Sequence, residues 1–140
     1  MTTNIRRAQY EDGKAIFSLA QSFATSFVVE EQVFHHAFAK LLASPEAYLA
    51  VAETPPQLIG YLLGFDHDTF YANGRVAWVE EIMVCEPFRR QNIGQSLMQG
   101  FERWAGARGC QLVALATRRA ALFYQAIGYE ESATYFRKLL

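Results

Sequence analysis

The segment from Trp78 to Ala105 restricts the possible fold more than any other part of the chain. An apolar run, Trp78-Val79-Glu80-Glu81-Ile82-Met83-Val84, leads into Phe88-Arg89-Arg90-Gln91-Asn92-Ile93-Gly94-Gln95-Ser96-Leu97. The apolar run is strand-like. From Leu97 to Ala105 the residues Leu97, Met98, Phe101 and Trp104 fall on one side at helical spacing, and Gly106 or Gly109 ends the helix. Strand, tight basic turn and helix together present backbone N–H groups and positive charge to an anion such as phosphate. Leu112 to Ala116 then reads as a short buried strand, so the helix is the crossover between two strands of one sheet.

The remaining segments fill in the layers. Asn4 to Gln9 alternates roughly, as a first strand does. Asp12 is placed to cap a helix whose apolar positions are Ile16, Leu19, Ala20 and Phe23. A second helix is expected from Glu31 to Leu42, with Val33, Phe34, Phe38, Leu41 and Leu42 inward, and Ser44-Pro45 ends it. Tyr48 to Ala52 and Leu58 to Phe65 form a hairpin about Thr54-Pro55-Pro56-Gln57. Asn73-Gly74 turns the chain into the strand of residues 77 to 84. Thr117 is placed to cap a last helix, Arg118 to Ile127, ended by Gly128, and Tyr135 to Leu139 closes with a strand. The order is β-α-α-β-β-β-α-β-α-β, with or without one more strand. That gives an α/β (α+β) fold with a mixed, mostly antiparallel sheet and helices on both faces. No linker or repeat divides it, so residues 1–140 are expected to be a single domain.

Composition narrows the function classes. A formal charge of −1 gives no general attraction to nucleic acid or a membrane surface. No apolar run is long enough to span a bilayer, and MTTNIRRAQY lacks the apolar core of a signal peptide, so a cytoplasmic protein is expected. Cys85 and Cys110 do not make a disulfide framework, and both are expected to be reduced core residues. Three histidines, two of them adjacent, and no spaced His/Cys set give no metal site.

The basic turn lacks the Lys and Ser/Thr of a P-loop and the G-x-G-x-x-G of a dinucleotide fold. A solvated basic loop is the bland alternative. Against it, the turn opens a helix, Gly94 permits close backbone approach, and neighbouring residues are small or polar. Residues 79–96, VEEIMVCEPFRRQNIGQS, resemble the cofactor-binding motif of the GNAT superfamily of acetyltransferases, Q/R-x-x-G-x-G/A. Arg89 takes the first position and Gly94 the last. Asn92 replaces the first glycine, and Asn tolerates left-handed backbone angles. Residues 120–129, AALFYQAIGY, resemble the family's A-x-x-x-Y-x-x-x-G-F/Y ending, with Thr117 where the family often has Asn.

The resemblance implies an N-acetyltransferase that uses acetyl-CoA as co-substrate and transfers directly to an amine of a small molecule or peptide. It implies no metal. Acetyl-CoA is expected to wedge between splayed strands holding Val84 and Leu112. Backbone groups of Ile82, Met83 and Val84 would align its pantetheine arm. Backbone amides of Gln91, Asn92, Ile93, Gly94, Gln95 and Ser96 would bind its pyrophosphate, with charge from Arg89 and Arg90, and Thr117 is expected among the cofactor contacts. Tyr124 matches the family's general acid toward the leaving thiolate, and it also belongs among the cofactor contacts. A phenol titrating near ~10 and a thiol near ~8.5 can share that proton. The plainer alternative for Tyr124 is a core ring packed on Phe123 and Ile127.

Glu80 and Glu81 are unusual in a strand reading WVEEIMV, since buried carboxylates are costly unless paired. Neighbouring strand residues face opposite ways unless a bulge intervenes, so at most one is expected at the reacting centre. By resemblance, either binds a cationic acceptor or relays its proton. The alternative is a salt bridge to Arg75 or Arg103. The acceptor surface is expected from the first two helices and their loop, Ser22 to Gln32, where Phe23, Phe27, Glu30 and Glu31 lie, with Asp66 and Asp68 nearby. Glu30 and Glu31 also suit the start of the second helix. Acyl chain length stays open at Met83 and Leu112, and a homodimer is plausible from the apolar Leu139-Leu140. A different class of function remains: a module that binds acyl-CoA and regulates a partner without turnover.

Overall fold

Three consecutive antiparallel pairings build most of the sheet in the computed structural model, which describes residues 2–140. Strand β1 (Asn4–Arg7) pairs with β2 (Ala47–Thr54), β2 with β3 (Gln57–Thr69), and β3 with β4 (Gly74–Val84). The fifth strand, β5 (Val113–Leu115), joins β4 in parallel, as a crossover helix requires. The spatial order is β1-β2-β3-β4-β5. Between β3 and β4, Asn73 takes a left-handed φ of 58°, which Asn accepts at low cost.

Alternation along the strands divides the core in two. One face of the sheet carries Ala50, Ala52, Ile59, Leu62, Ala77 and Val79. Helix α3 (Ile93–Ala107) lays Ile93, Leu97, Met98, Phe101 and Ala105 on that face, and α4 (Ala121–Ala126) adds Tyr124. Phe101 lies directly over Gly64. A Cβ there would sit 2.5 Å from the ring Cζ, so the close approach requires glycine. Burying Phe101 fully stabilises the fold by about 1.5–3 kcal/mol. The other face carries Leu49, Val51, Tyr61 and Leu63 beneath α1 (Gly13–Phe23) and α2 (Glu31–Ala43). Ile16, Leu19 and Phe38 fill that layer, while Val33 turns outward and is 62% exposed.

Several expected details differ. Residues 135–139 form no strand. β5 offers only three residues as an edge, too short to register a five-residue partner, and Arg137-Lys138 interrupts the apolar alternation. The segment is held by side chains instead: Tyr135 stacks on Trp78 at 6.5 Å, and Arg137 Nη2 donates to Ser26 Oγ at 3.3 Å. The last helix starts at Ala121, not Arg118, because Thr117 Oγ1 accepts the Ala120 N–H and closes a turn first. Asp12 precedes α1 but does not cap it through its side chain, which instead binds the Arg6 guanidinium at 2.8 and 2.9 Å and accepts the Gln9 N–H.

Candidate active site

The sheet is incomplete where the basic turn begins. β4 and β5 pair only from Ala77–Val113 to Val79–Leu115. At the next residue the β3–β4 register slips, with Leu63 opposite Glu81 and Gly64 opposite Val79. Glu80 is therefore the extra residue of a β-bulge, which bends β4 away from β5. Beyond it, Glu80 to Val84 have no partner on the β5 side among the described residues.

Ladder geometry tells which backbone groups face this gap. Cys85 N–H donates to Ile59 O at 2.8 Å. Antiparallel pairs alternate between bonded and non-bonded, so Met83–Tyr61 and Glu81–Leu63 are bonded pairs too. Ile82 and Val84 thus turn their N–H and C=O groups into the gap, whereas Met83 spends its backbone on β3. The Val84 carbonyl accepts Arg89 Nε at 2.8 Å, as that direction requires. The side chains of Ile82 and Val84 join the α3 side of the core, and Met83 joins the α1/α2 side.

The turn closes the open end of the gap. Arg90 and Asn92 both take φ of 65°. Asn92 does so readily. At Arg90 the left-handed angle costs of order 1–3 kcal/mol, which the surrounding structure sustains. Asn92 stands at the N-cap of α3 without a side-chain cap bond. The first bond of the helix start runs from Ser96 N–H to Asn92 O, and Ser96 Oγ donates to the same carbonyl at 3.0 Å. The amides of Ile93, Gly94 and Gln95 are left at the positive end of a 15-residue helix. Ile93, only 4% exposed, anchors this end in the core. A Cβ on Gly94 would lie 3.3 Å from Phe123 of α4, so glycine lets the two helix starts meet. Arg89 and Arg90 line an open depression with Glu86, and Gln91 is exposed beside them.

Tyr124 is buried in the same layer as Ile82, Val84, Leu115 and Ile93. Its ring meets Phe123 at 4.9 Å and Tyr129 at 5.9 Å. The ring packs on Phe123 and Ile127 as the plainer alternative expects, and none of the described hydrogen bonds involves its hydroxyl. Burial pushes its pKa up, which keeps the O–H protonated. Thr117, exposed and engaged with Ala120, is not part of this cluster.

The bulge removes the alternation between the two glutamates, and exposure and pairing distinguish them instead. Glu80 is exposed, and Glu81 points to the α1/α2 side. There the Tyr61 O–H donates to Glu81 Oε1 at 2.6 Å. Burial first, then the Glu81 charge and hydrogen bond, push the Tyr61 pKa well up. Phe23, at the end of α1, meets the Tyr61 ring edge-on at 6.5 Å. Neither glutamate forms a salt bridge to Arg75 or Arg103 among the described residues. Arg75 instead binds Asp66 and Asp68. Asp66 is wholly buried between Arg75 and Arg108, on the α3 side of the sheet and at the opposite end of β4, so it faces away from α1 and α2. The importance of Tyr61 escapes the sequence, although a tyrosine within LIGYLLGF is its one visible signal.

Among the described residues no cluster of His, Cys, Asp or Glu is arranged to hold a metal, and no helix is long and apolar enough to cross a membrane. The aminoalkylphosphonate N-acetyltransferase of Salmonella typhimurium is 28% identical over 141 aligned positions, which span 97% of this chain and 90% of that protein. Glucosamine-6-phosphate N-acetyltransferase from Arabidopsis thaliana superposes with a TM-score of 0.89 at 18% identity, covering 99% of each chain. Aminoglycoside 6'-N-acetyltransferase from Acinetobacter baumannii gives 0.82 at 23% identity, again over 99% of each. The sequence pattern of the Acetyltransferase (GNAT) family matches residues 13–129, and the chain belongs to that family.

Proposed function

We propose that the gap between β4 and β5 holds acetyl-CoA and that the chain moves its acetyl group to a primary amine entering from the α1/α2 side. The observation that carries this is the bulge at Glu80. It opens the sheet, turns the Ile82 and Val84 backbone groups into the opening, and sends Glu81 to the opposite face. The free amides of Ile93, Gly94 and Gln95, with Arg89 and Arg90 beside them, suit the pyrophosphate. When bound, acetyl-CoA supplies an activated thioester.

The chain's own residues then have three tasks. A backbone N–H of Ile82 or Val84 stabilises the negative charge that develops on the acyl oxygen. Glu81, with Oε1 held by Tyr61 and Oε2 open, binds the ammonium form of the acceptor and takes its proton by way of water. The Tyr124 O–H protonates the departing thiolate. The N–C bond forms, the C–S bond breaks, the proton the nitrogen loses on becoming an amide returns to Tyr124, and the products are an amide and the free thiol of CoA. Glu80 at the bulge is exposed to solvent and is left without a role in this scheme.

The test is release of CoA thiol with a panel of amines, for wild type and Tyr124→Phe, with blanks for the protein's own thiols. Tyr124→Phe is expected to lower kcat by about 10²-fold, within the usual range for a proton donor, while acetyl-CoA binding is retained. Unchanged kcat would remove Tyr124 from the mechanism. Acetyl-CoA binding without turnover of any amine would point to a regulatory acyl-CoA module.

A further inference from the structure

Arg137 reaches across 111 residues of sequence to the loop that follows α1. Its Nη2 donates to Ser26 Oγ, a neutral hydroxyl, and no carboxylate pairs with it among the described residues. Two residues earlier, Tyr135 stacks on Trp78. Ala77 and Val79 face the α3 layer, so Trp78 faces the α1/α2 side. The bulge at Glu80 brings Glu81 to that same side. This side of the sheet therefore carries a carboxylate at Glu81 and the stacked rings of Trp78 and Tyr135. A guanidinium without an anion stands at Arg137, bridging to Ser26. Glu81 and Trp78 are separated by roughly 10 Å of strand.

On this basis, and resting on the transferase reading above, we infer that Arg137 selects amine acceptors that carry an anionic group at their far end. The ammonium binds at Glu81, a short body passes along the stacked Trp78 and Tyr135 rings, and a carboxylate, phosphonate or phosphate replaces Ser26 as the partner of Arg137. A guanidinium takes such groups in a two-pronged grip that a hydroxyl does not satisfy.

Acceptors matched in length separate the effects: ω-aminocaproate and an ω-aminoalkyl phosphonate against n-hexylamine, each assayed by CoA release. In Arg137→Met, the ratio of kcat/KM for the anionic acceptors to that for n-hexylamine is expected to fall by about tenfold or more, the worth of one hydrogen bond to a charged group. The loss should appear in KM, and Arg137→Lys should restore part of the ratio. A ratio unchanged in Arg137→Met, with all acceptors weakened alike, would mean that Arg137 only tethers the C-terminal segment, and the inference fails while the transferase reading stands. If no amine is turned over by the wild type, both fail together.

Discussion

Asp66 is the place where a single charge can be removed with the clearest expected result. Its side chain is wholly buried and lies between two guanidinium groups. Arg75 donates to it at 2.8 and 3.1 Å, and Arg108 at 2.5 and 3.1 Å. Burial alone would push the Asp66 pKa up, but the two arginines outweigh it and hold the value at about 2, below the ordinary 3.8. That difference corresponds to about 2.5 kcal/mol of stability. Asp66→Asn keeps the shape and removes the charge. Breaking a buried pair commonly costs 3–5 kcal/mol. Arg75 and Arg108 are partly exposed and can rehydrate, which places the expected loss at the lower end, about 3 kcal/mol. For a chain of this size the Tm should fall by about 10 °C at pH 7.

The sign with pH follows from the lowered pKa. The carboxylate's contribution is complete above about pH 4 and is lost as pH falls through about 2. Thermal melts of wild type and Asp66→Asn, followed by circular dichroism from pH 7 to pH 2.5, should show two curves that converge on acidification. A gap that stays constant over that range would mean the variant acts through shape, not charge. A Tm change below ~3 °C at pH 7 would refute the ion cluster as a stabilising element.

Two further outcomes follow from packing and charge. Gly64→Ala drives a Cβ against the buried Phe101 ring, with the Trp78 carbonyl 3.0 Å away, and should cost about 1–3 kcal/mol in a urea titration. Arg89→Ala should raise KM for acetyl-CoA several-fold and leave the use of an N-acetylcysteamine thioester nearly unaffected, because that substrate has no pyrophosphate. Equal losses on both would move Arg89 out of the anion site.

The sequence carries the order of elements well because each is punctuated locally. Asn73-Gly74, Pro55-Pro56 and the run into Gly94 each mark a place where the chain turns. The helix start at Asn92 is legible for the same reason. Long-range geometry is not. Whether Glu80 or Glu81 faces inward depends on a register slip against Leu63 and Gly64, which alternation along one strand does not contain. The Tyr61–Glu81 bond likewise depends on cross-strand pairing. Asp66 reads as a surface acid near a strand end, and only the fold brings Arg108, 42 residues away, to neutralise it. The expected closing strand fails because a strand requires a partner edge, and β5 supplies three residues.

The gap beside Ile82 and Val84 also sets where the molecule exchanges its amide protons. On the β3 side, β4 is continuous, and Met83 and Glu81 are held in a ladder that opens only with the sheet. On the other side, the Ile82 and Val84 N–H groups have no strand to hold them. Neighbouring amides on one strand should therefore exchange deuterium on different timescales, alternating residue by residue. A molecule lodged in the gap that accepts those hydrogen bonds would erase the alternation. Protection at two positions would then report occupancy without any turnover, and would also show how tightly the open half of the sheet is being completed.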